Sequence, residues 1–147
     1  PTALLPIYQL LGTEYVHKEI ITRFSGKSQS YDAFTKISFV FPHAVASMKV
    51  GQGVKSEGEL VVSGTKGYIY VPAPWWKTEY FEVRYENPQN NKRYFYQLDG
   101  EGLRYELLSF FKAIRTGHDF SYVDDNISLA ITQTIADFYS RRDMTII

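Results

Sequence analysis

The chain has no cysteine. Disulfides, thiolate nucleophiles and cysteine-ligated metals are excluded together. It also lacks a surplus of either charge: 16 Lys plus Arg balance 16 Asp plus Glu. No net field draws it toward a polyanion, so nucleic acid is not an expected partner. No window approaches the roughly 20 apolar residues of a membrane span. The opening Pro-Thr-Ala-Leu-Leu-Pro has neither the basic region nor the apolar run of an export signal. These absences fit a cytoplasmic protein without a membrane partner.

Catalytic signatures are scarce too. His17, His43 and His118 share no short spacing, so no metal site is expected. Ser63 and Ser109 lack the glycine-flanked elbow of a serine nucleophile. Glu101, Glu106, Asp124 and Asp125 are acidic, but nothing in their spacing selects an acid and base pair. Gly51-Gln-Gly53 with Gly58 downstream resembles a dinucleotide fingerprint only superficially, because a strand rather than a helix follows. Asn126-Ile-Ser128 matches a glycosylation acceptor, yet it falls at a helix start in a chain without an export signal and reads as coincidence.

Aromatic residues are plentiful: 12 Tyr and 10 Phe among 147 residues, enough length for one domain with a core of its own. Residues 3 to 11 carry Leu4, Leu5, Ile7, Tyr8, Leu10 and Leu11, which predicts a short helix stopped by Gly12, with Pro6 in its first turn. A helix this close to residue 1 suits a chain cut from a larger protein as well as a native start. Val16 to Phe24 gives a weak strand pattern. Phe34 to Phe41 alternates clearly and places Ile37, Phe39 and Phe41 on one face, ending at Pro42. Val45 to Val50 resumes extended structure with Ala44, Ala46, Met48 and Val50 on one side. Further strands are expected over Glu59–Ser63, Tyr68–Val71, Tyr80–Tyr85 and Arg93–Leu98, with Gly64 and Gly67 framing a hairpin turn. Two helices close the chain: Leu103, Leu107, Phe110, Phe111 and Ile114 mark the first, stopped by Gly117. Ile127, Ala130, Ile131, Ile135 and Phe138 mark the second, capped by Asp124 or Asp125, with Arg141 and Arg142 at its carbonyl end.

This order predicts an α+β fold, a two-layer sandwich with a large sheet of six or seven strands, mostly antiparallel or mixed, and helices on one face. The opposite face would need a second copy or another domain to cover its aromatics.

Two places hold candidate binding residues. The segment Pro72-Ala-Pro-Trp-Trp-Lys77 stiffens the chain beside two indoles and a cation, which suits a sugar face, a subunit interface or simple packing. Arg104 falls in the first turn of a helix, where a cation opposes the helix field. Asp99 or Glu101 could offset it structurally, and an anionic ligand could do so functionally.

The stretches Glu59-Leu-Val-Val-Ser-Gly-Thr-Lys-Gly-Tyr-Ile-Tyr-Val71 and Gly100-Glu-Gly-Leu-Arg-Tyr-Glu-Leu-Leu-Ser-Phe-Phe-Lys-Ala-Ile114, with the helix from Leu4 to Gly12, resemble the C-terminal domain of the glucose-fructose oxidoreductase, inositol dehydrogenase and rhizopine catabolism family. The likeness covers nearly all of residues 1–147. It implies a substrate-binding and oligomerisation domain of an NAD(P)-dependent dehydrogenase acting on a sugar, cyclitol or related hydroxyl compound. In that family an N-terminal Rossmann domain binds NAD or NADP and contributes a lysine, and a histidine or tyrosine precedes the first helix. The resemblance places position 1 just after that segment, so no catalytic residue and no bound cofactor are expected in this chain. It implies a homo-oligomer formed through the open sheet face. It also makes Trp75, Trp76, Lys77 and Arg104 the residues placed to reach a small-molecule substrate. The alternative is a non-catalytic binding or oligomerisation domain with the same fold.

Overall fold

A computed structural model describes residues 1–27, 30–97, 99–100 and 102–147. In chain order the elements are α1 (Leu5–Leu11), β1 (His17–Ser25), β2 (Tyr31–Val40), β3 (Val45–Gly51), β4 (Leu60–Gly64), β5 (Gly67–Val71), β6 (Tyr80–Tyr85), β7 (Lys92–Phe95), α2 (Leu103–Thr116), α3 (Asp125–Tyr139) and β8 (Met144–Ile146). They fall into two compact units, Pro1–Ser56 with Tyr122–Ile147, and Glu57–Ser121.

The first unit carries a four-stranded sheet in the order β3-β2-β1-β8. β1, β2 and β3 pair antiparallel, and β8 runs parallel to β1. Alternation along β2 buries Ile37 and Phe39, and Phe41 follows them into the core, as the sequence pattern predicts. They meet Leu4, just before α1, and Ile7 and Tyr8 from it, while Ile127, Ile131 and Ile135 of α3 pack against the same cluster. The small residues Ala44 and Ala46, with Met48, also lie against it. Val50, expected on that side, is exposed. Gly12 ends α1 at φ 82°, a conformation that suits glycine.

The second unit has its own four-stranded antiparallel sheet, in the order β4-β5-β6-β7. Gly64 pairs with Gly67 across the first hairpin, leaving Thr65 and Lys66 as the two-residue turn. A Cβ on Gly67 would stand 2.4 Å from the Arg84 carbonyl oxygen, so close approach to β6 demands glycine there. Asn87 accepts a hydrogen bond from the Gln89 N–H and starts a 3-10 turn over Pro88–Asn90, where the sequence predicts a loop.

The expected single sheet of six or seven strands is therefore two sheets of four. β3 ends one and β4 begins the other. The segment between them forms no strand until Leu60 and turns at Gly53 and Gly58, whose φ values are 73° and 67°. β8 was not legible in the sequence. Arg141 and Asp143, at φ 55° and 52°, turn the chain back after α3 and bring Met144 beside Ile20. The last expected strand is shorter than Arg93–Leu98, and Leu98 lies outside the described residues.

Candidate functional site

The four candidate binding residues all belong to the second unit. Trp75 is half-buried, and its backbone N–H donates to the Gly58 carbonyl at 3.0 Å, tying the Pro-rich segment to the chain before β4. Trp76 is 53% exposed. The two indoles meet edge to face, with ring centres 6.0 Å apart and planes at 89°. The Lys77 N–H donates to the Pro74 carbonyl at 2.9 Å, closing a turn that directly follows the cis Ala73–Pro74 bond. Trp76 thus keeps about half of its surface open to solvent beside an exposed Lys77. A flat apolar ligand with polar rims, such as a sugar ring, could stack there.

Arg104 makes its pairing elsewhere. Its Nη1 lies 3.5 Å from Asp99 Oδ2, and both side chains are largely exposed. Asp99 also donates its backbone N–H to the Tyr105 hydroxyl at 3.1 Å. Asp99 thus supplies the structural offset that a cation in a first helical turn calls for. Glu101, the other expected partner, lies outside the described residues. Gly102 caps this helix in a left-handed conformation with no side-chain cap. A shallow depression of about 400 Å³ at the β6–β7 turn is lined by Tyr85, Gln89, Asn90, Asn91 and Lys92, none of them among the four.

Two polar clusters escaped the sequence reading. In the first unit, Lys18 donates to Asp137 inside the core, and Asp137 also accepts from Gln133 at 2.9 Å and from Arg142 at 3.2 Å. Lys18 also lies 5.5 Å from the centre of the Tyr15 ring. Burial alone would lower the Lys18 pKa, but the hydrogen bond to Asp137, with Tyr15 adding to it, leaves the ammonium above the ordinary lysine value. Burial pushes the Asp137 carboxyl upward, and hydrogen bonds from Lys18 and Gln133 overcome it and hold the group below the usual carboxylate value. Next to this pair, Thr134 donates to the Ala130 carbonyl, so the Tyr8 hydroxyl is the donor in its 2.6 Å bond to Thr134. Burial raises the Tyr8 pKa against the opposing effect of that bond. The only sequence signal for this cluster was spacing: Ala130, Thr134 and Asp137 repeat at four and three residues on the buried side of α3.

In the second unit, strand register places Tyr70, Glu82 and Arg93 in one row across three strands, with Tyr68 opposite Arg84 in the next. Glu82 accepts from Arg84 Nε at 2.7 Å and from Arg93 Nε at 2.9 Å. Arg93, then Arg84, holds its carboxyl below the usual range. Arg84 lies 4.2 Å over the Tyr70 ring and Arg93 4.6 Å over Tyr80. The result is a flat tyrosine and arginine surface with one carboxylate as its hinge.

The Gly51-Gln-Gly53 loop does not have the form of a dinucleotide fingerprint. Gly51 closes β3, and the chain reaches β4 without forming the helix whose N-terminus would receive a pyrophosphate. Among the described residues no group of three or more His, Asp or Glu side chains could hold a metal, and no helix is long and apolar enough to cross a membrane.

No family model and no curated protein matches the sequence. Solved structures do match the fold. A biliverdin reductase from Synechocystis sp. PCC 6803, solved with biliverdin and NADP+, superposes with a TM-score of 0.71 at 16% identity, over 96% of this chain and 44% of that one. A 3-ketoreductase variant from Actinomadura kijaniata, solved with TDP-benzene and NADP, gives a TM-score of 0.73 at 10% identity, over 99% of this chain and 44% of that one. The chain thus spans less than half the length of either. These neighbours are of the glucose-fructose oxidoreductase, inositol dehydrogenase and rhizopine catabolism type. At such identity the likeness is one of fold, and the chain has the fold that forms under half of these oxidoreductases.

Proposed function

We propose that residues 1–147 are the C-terminal substrate-binding and oligomerisation domain of an NAD(P)-dependent oxidoreductase acting on a sugar, cyclitol or related hydroxyl compound. One observation carries this reading: almost the whole chain superposes on under half of two reductases solved with NADP or NADP+. In this reading the cofactor is bound by an N-terminal Rossmann domain of the same polypeptide, and the chain by itself is inactive. Its own residues bind and orient. Trp75 and Trp76 offer a stacking surface, Lys77 a cation beside it, and Arg104 a guanidinium shared with Asp99. The tyrosine and arginine face of the second sheet is the surface for association between copies, since aromatic and arginine side chains dominate the energetics of protein interfaces.

Calorimetric titration of the 147-residue chain with NADH and NADPH tests the division of labour. The expected result is no binding in the micromolar range. Micromolar affinity for either dinucleotide sinks the assignment of the cofactor to another domain.

A further inference from the structure

β8 is the outermost strand of the first unit's sheet, with β1 as its neighbour over three parallel residue pairs. Parallel pairing is the weaker kind, and so short a ladder holds little by itself. The Ile20 N–H donates to the Asp143 carbonyl at 2.8 Å and the Ile147 N–H to the Thr22 carbonyl at 2.9 Å, marking the two ends of the contact. Met144 packs against the core cluster, but Thr145 and Ile146 are exposed. The turn that delivers this strand holds Arg141 at φ 55° and Asp143 at φ 52°, a conformation that costs a residue with a side chain free energy which opening would return. A segment with few apolar contacts, exposed backbone bonds and a strained approach opens locally more readily than the core beneath it.

Asp137 divides its carboxylate between the core and this turn. Oδ2 accepts from the buried Lys18, while Oδ1 lies 3.2 Å from Arg142 Nη1. Arg142 also donates its backbone N–H to the Asp137 carbonyl at 2.8 Å, and the Ser140 hydroxyl donates to the same carbonyl at 3.2 Å. The Arg142 side chain is 65% exposed and that of Lys18 is 0% exposed. Water and salt therefore reach one half of the arrangement and not the other. Breaking the Arg142 contact leaves Lys18 with its counter-ion, and Gln133, donating to Oδ1 at 2.9 Å, keeps that oxygen satisfied from within α3. The turn can thus release while β1 and α3 stay joined.

We propose that β8 and the turn before it form a strap that opens on β1 as a unit of its own, with the Arg142–Asp137 contact as its catch. The strap stands apart from the cofactor and substrate assignment above. Amide exchange of the chain, followed by NMR and corrected for intrinsic rates, tests it at Ile20, whose N–H belongs to β1 but bonds to the strap. That amide should exchange at least about 10-fold faster than the amides pairing β1 with β2, and its rate should change little in low urea. Equal rates with equal urea dependence would mean that the strap leaves only when the whole unit unfolds, and that result overturns the proposal. Arg142→Ala, a change at an exposed side chain, should speed Ile20 exchange about 3-fold, the scale of one exposed ion pair, and leave the β1–β2 amides as they were. No change at Ile20, or the same factor at all of these amides, denies Arg142 the part of a catch. Raising salt from about 0.05 M to about 1 M should reproduce the acceleration in wild type and not in the variant. A wild-type rate indifferent to salt, or a variant that responds equally, also overturns the proposal.

Discussion

Lys18 on β1 and Asp137 on α3 form an ion pair with side chains 0% and 4% exposed, joining residues 119 apart in sequence. Charges so placed are costly to strand singly and cheap to remove together. Asp137→Ala leaves the Lys18 ammonium in the core and should cost about 3 kcal/mol or more in urea unfolding. The double change Lys18→Met with Asp137→Leu should recover most of that loss. A double variant no more stable than Asp137→Ala would show that the pair does more than neutralise itself.

The same pair sets a pH window. Asp137 has a folded pKa below its unfolded one, so the stability it contributes is complete above the ordinary carboxylate value of about 4 and is lost as pH falls through the lower folded value. Lys18 has a folded pKa above its unfolded one, so its contribution is complete below about 10.4 and is lost as pH rises through the raised value. Unfolding free energies of wild type and the double variant, measured from pH 3 to pH 9, should differ in their acid limb. Wild type should lose stability more steeply below about pH 4. Parallel acid limbs would assign that dependence to other carboxylates.

Gly67→Ala tests the close approach of β5 to β6. The added methyl meets the Arg84 carbonyl, part of the backbone rather than a movable side-chain end. A loss of about 2 kcal/mol or more is expected, against about 1 kcal/mol for the same change at Gly53, whose Cβ would meet open space but whose φ of 73° still strains an L residue. Thermal melts of the two variants compare them directly.

The tryptophans should separate by role. Trp76→Ala removes a half-exposed indole and should change stability by less than about 1 kcal/mol, while Trp75→Ala should cost more. If the segment forms a substrate surface, Trp76→Ala should weaken sugar binding by the intact oxidoreductase about 10-fold while leaving its fold unchanged. Intrinsic fluorescence on titration with a pyranose reads this, since quenching should disappear with the indole that stacks.

Periodicity carried the fold where one face was apolar. Ile37, Phe39 and Phe41 announce β2, and the glycines at 12, 64, 67 and 117 mark real ends and turns. The division into two sheets was not legible, because period reports which face a strand buries and not which strand it pairs with. β8 was hidden for another reason: its three residues are too few for a pattern, and its entry depends on two non-glycine residues at positive φ. Lys18 and Asp137 escaped because each reads alone as a solvent-facing charge, and only tertiary packing brings them together. Trp75, Trp76, Lys77 and Arg104 were visible as residue types, yet the contact of the indole pair and the partnership of Arg104 with Asp99 required coordinates.

The first unit is assembled from two stretches, Pro1–Ser56 and Tyr122–Ile147, with the second unit's residues between them. On a ribosome the interposed sheet is complete while α3 and β8 are still unmade. Until those last residues emerge, β1 keeps an open edge and Lys18 has no counter-ion. During synthesis the nascent chain therefore carries a finished unit inside an unfinished one, and a stall late in translation leaves the earlier strands waiting with an edge able to recruit another chain.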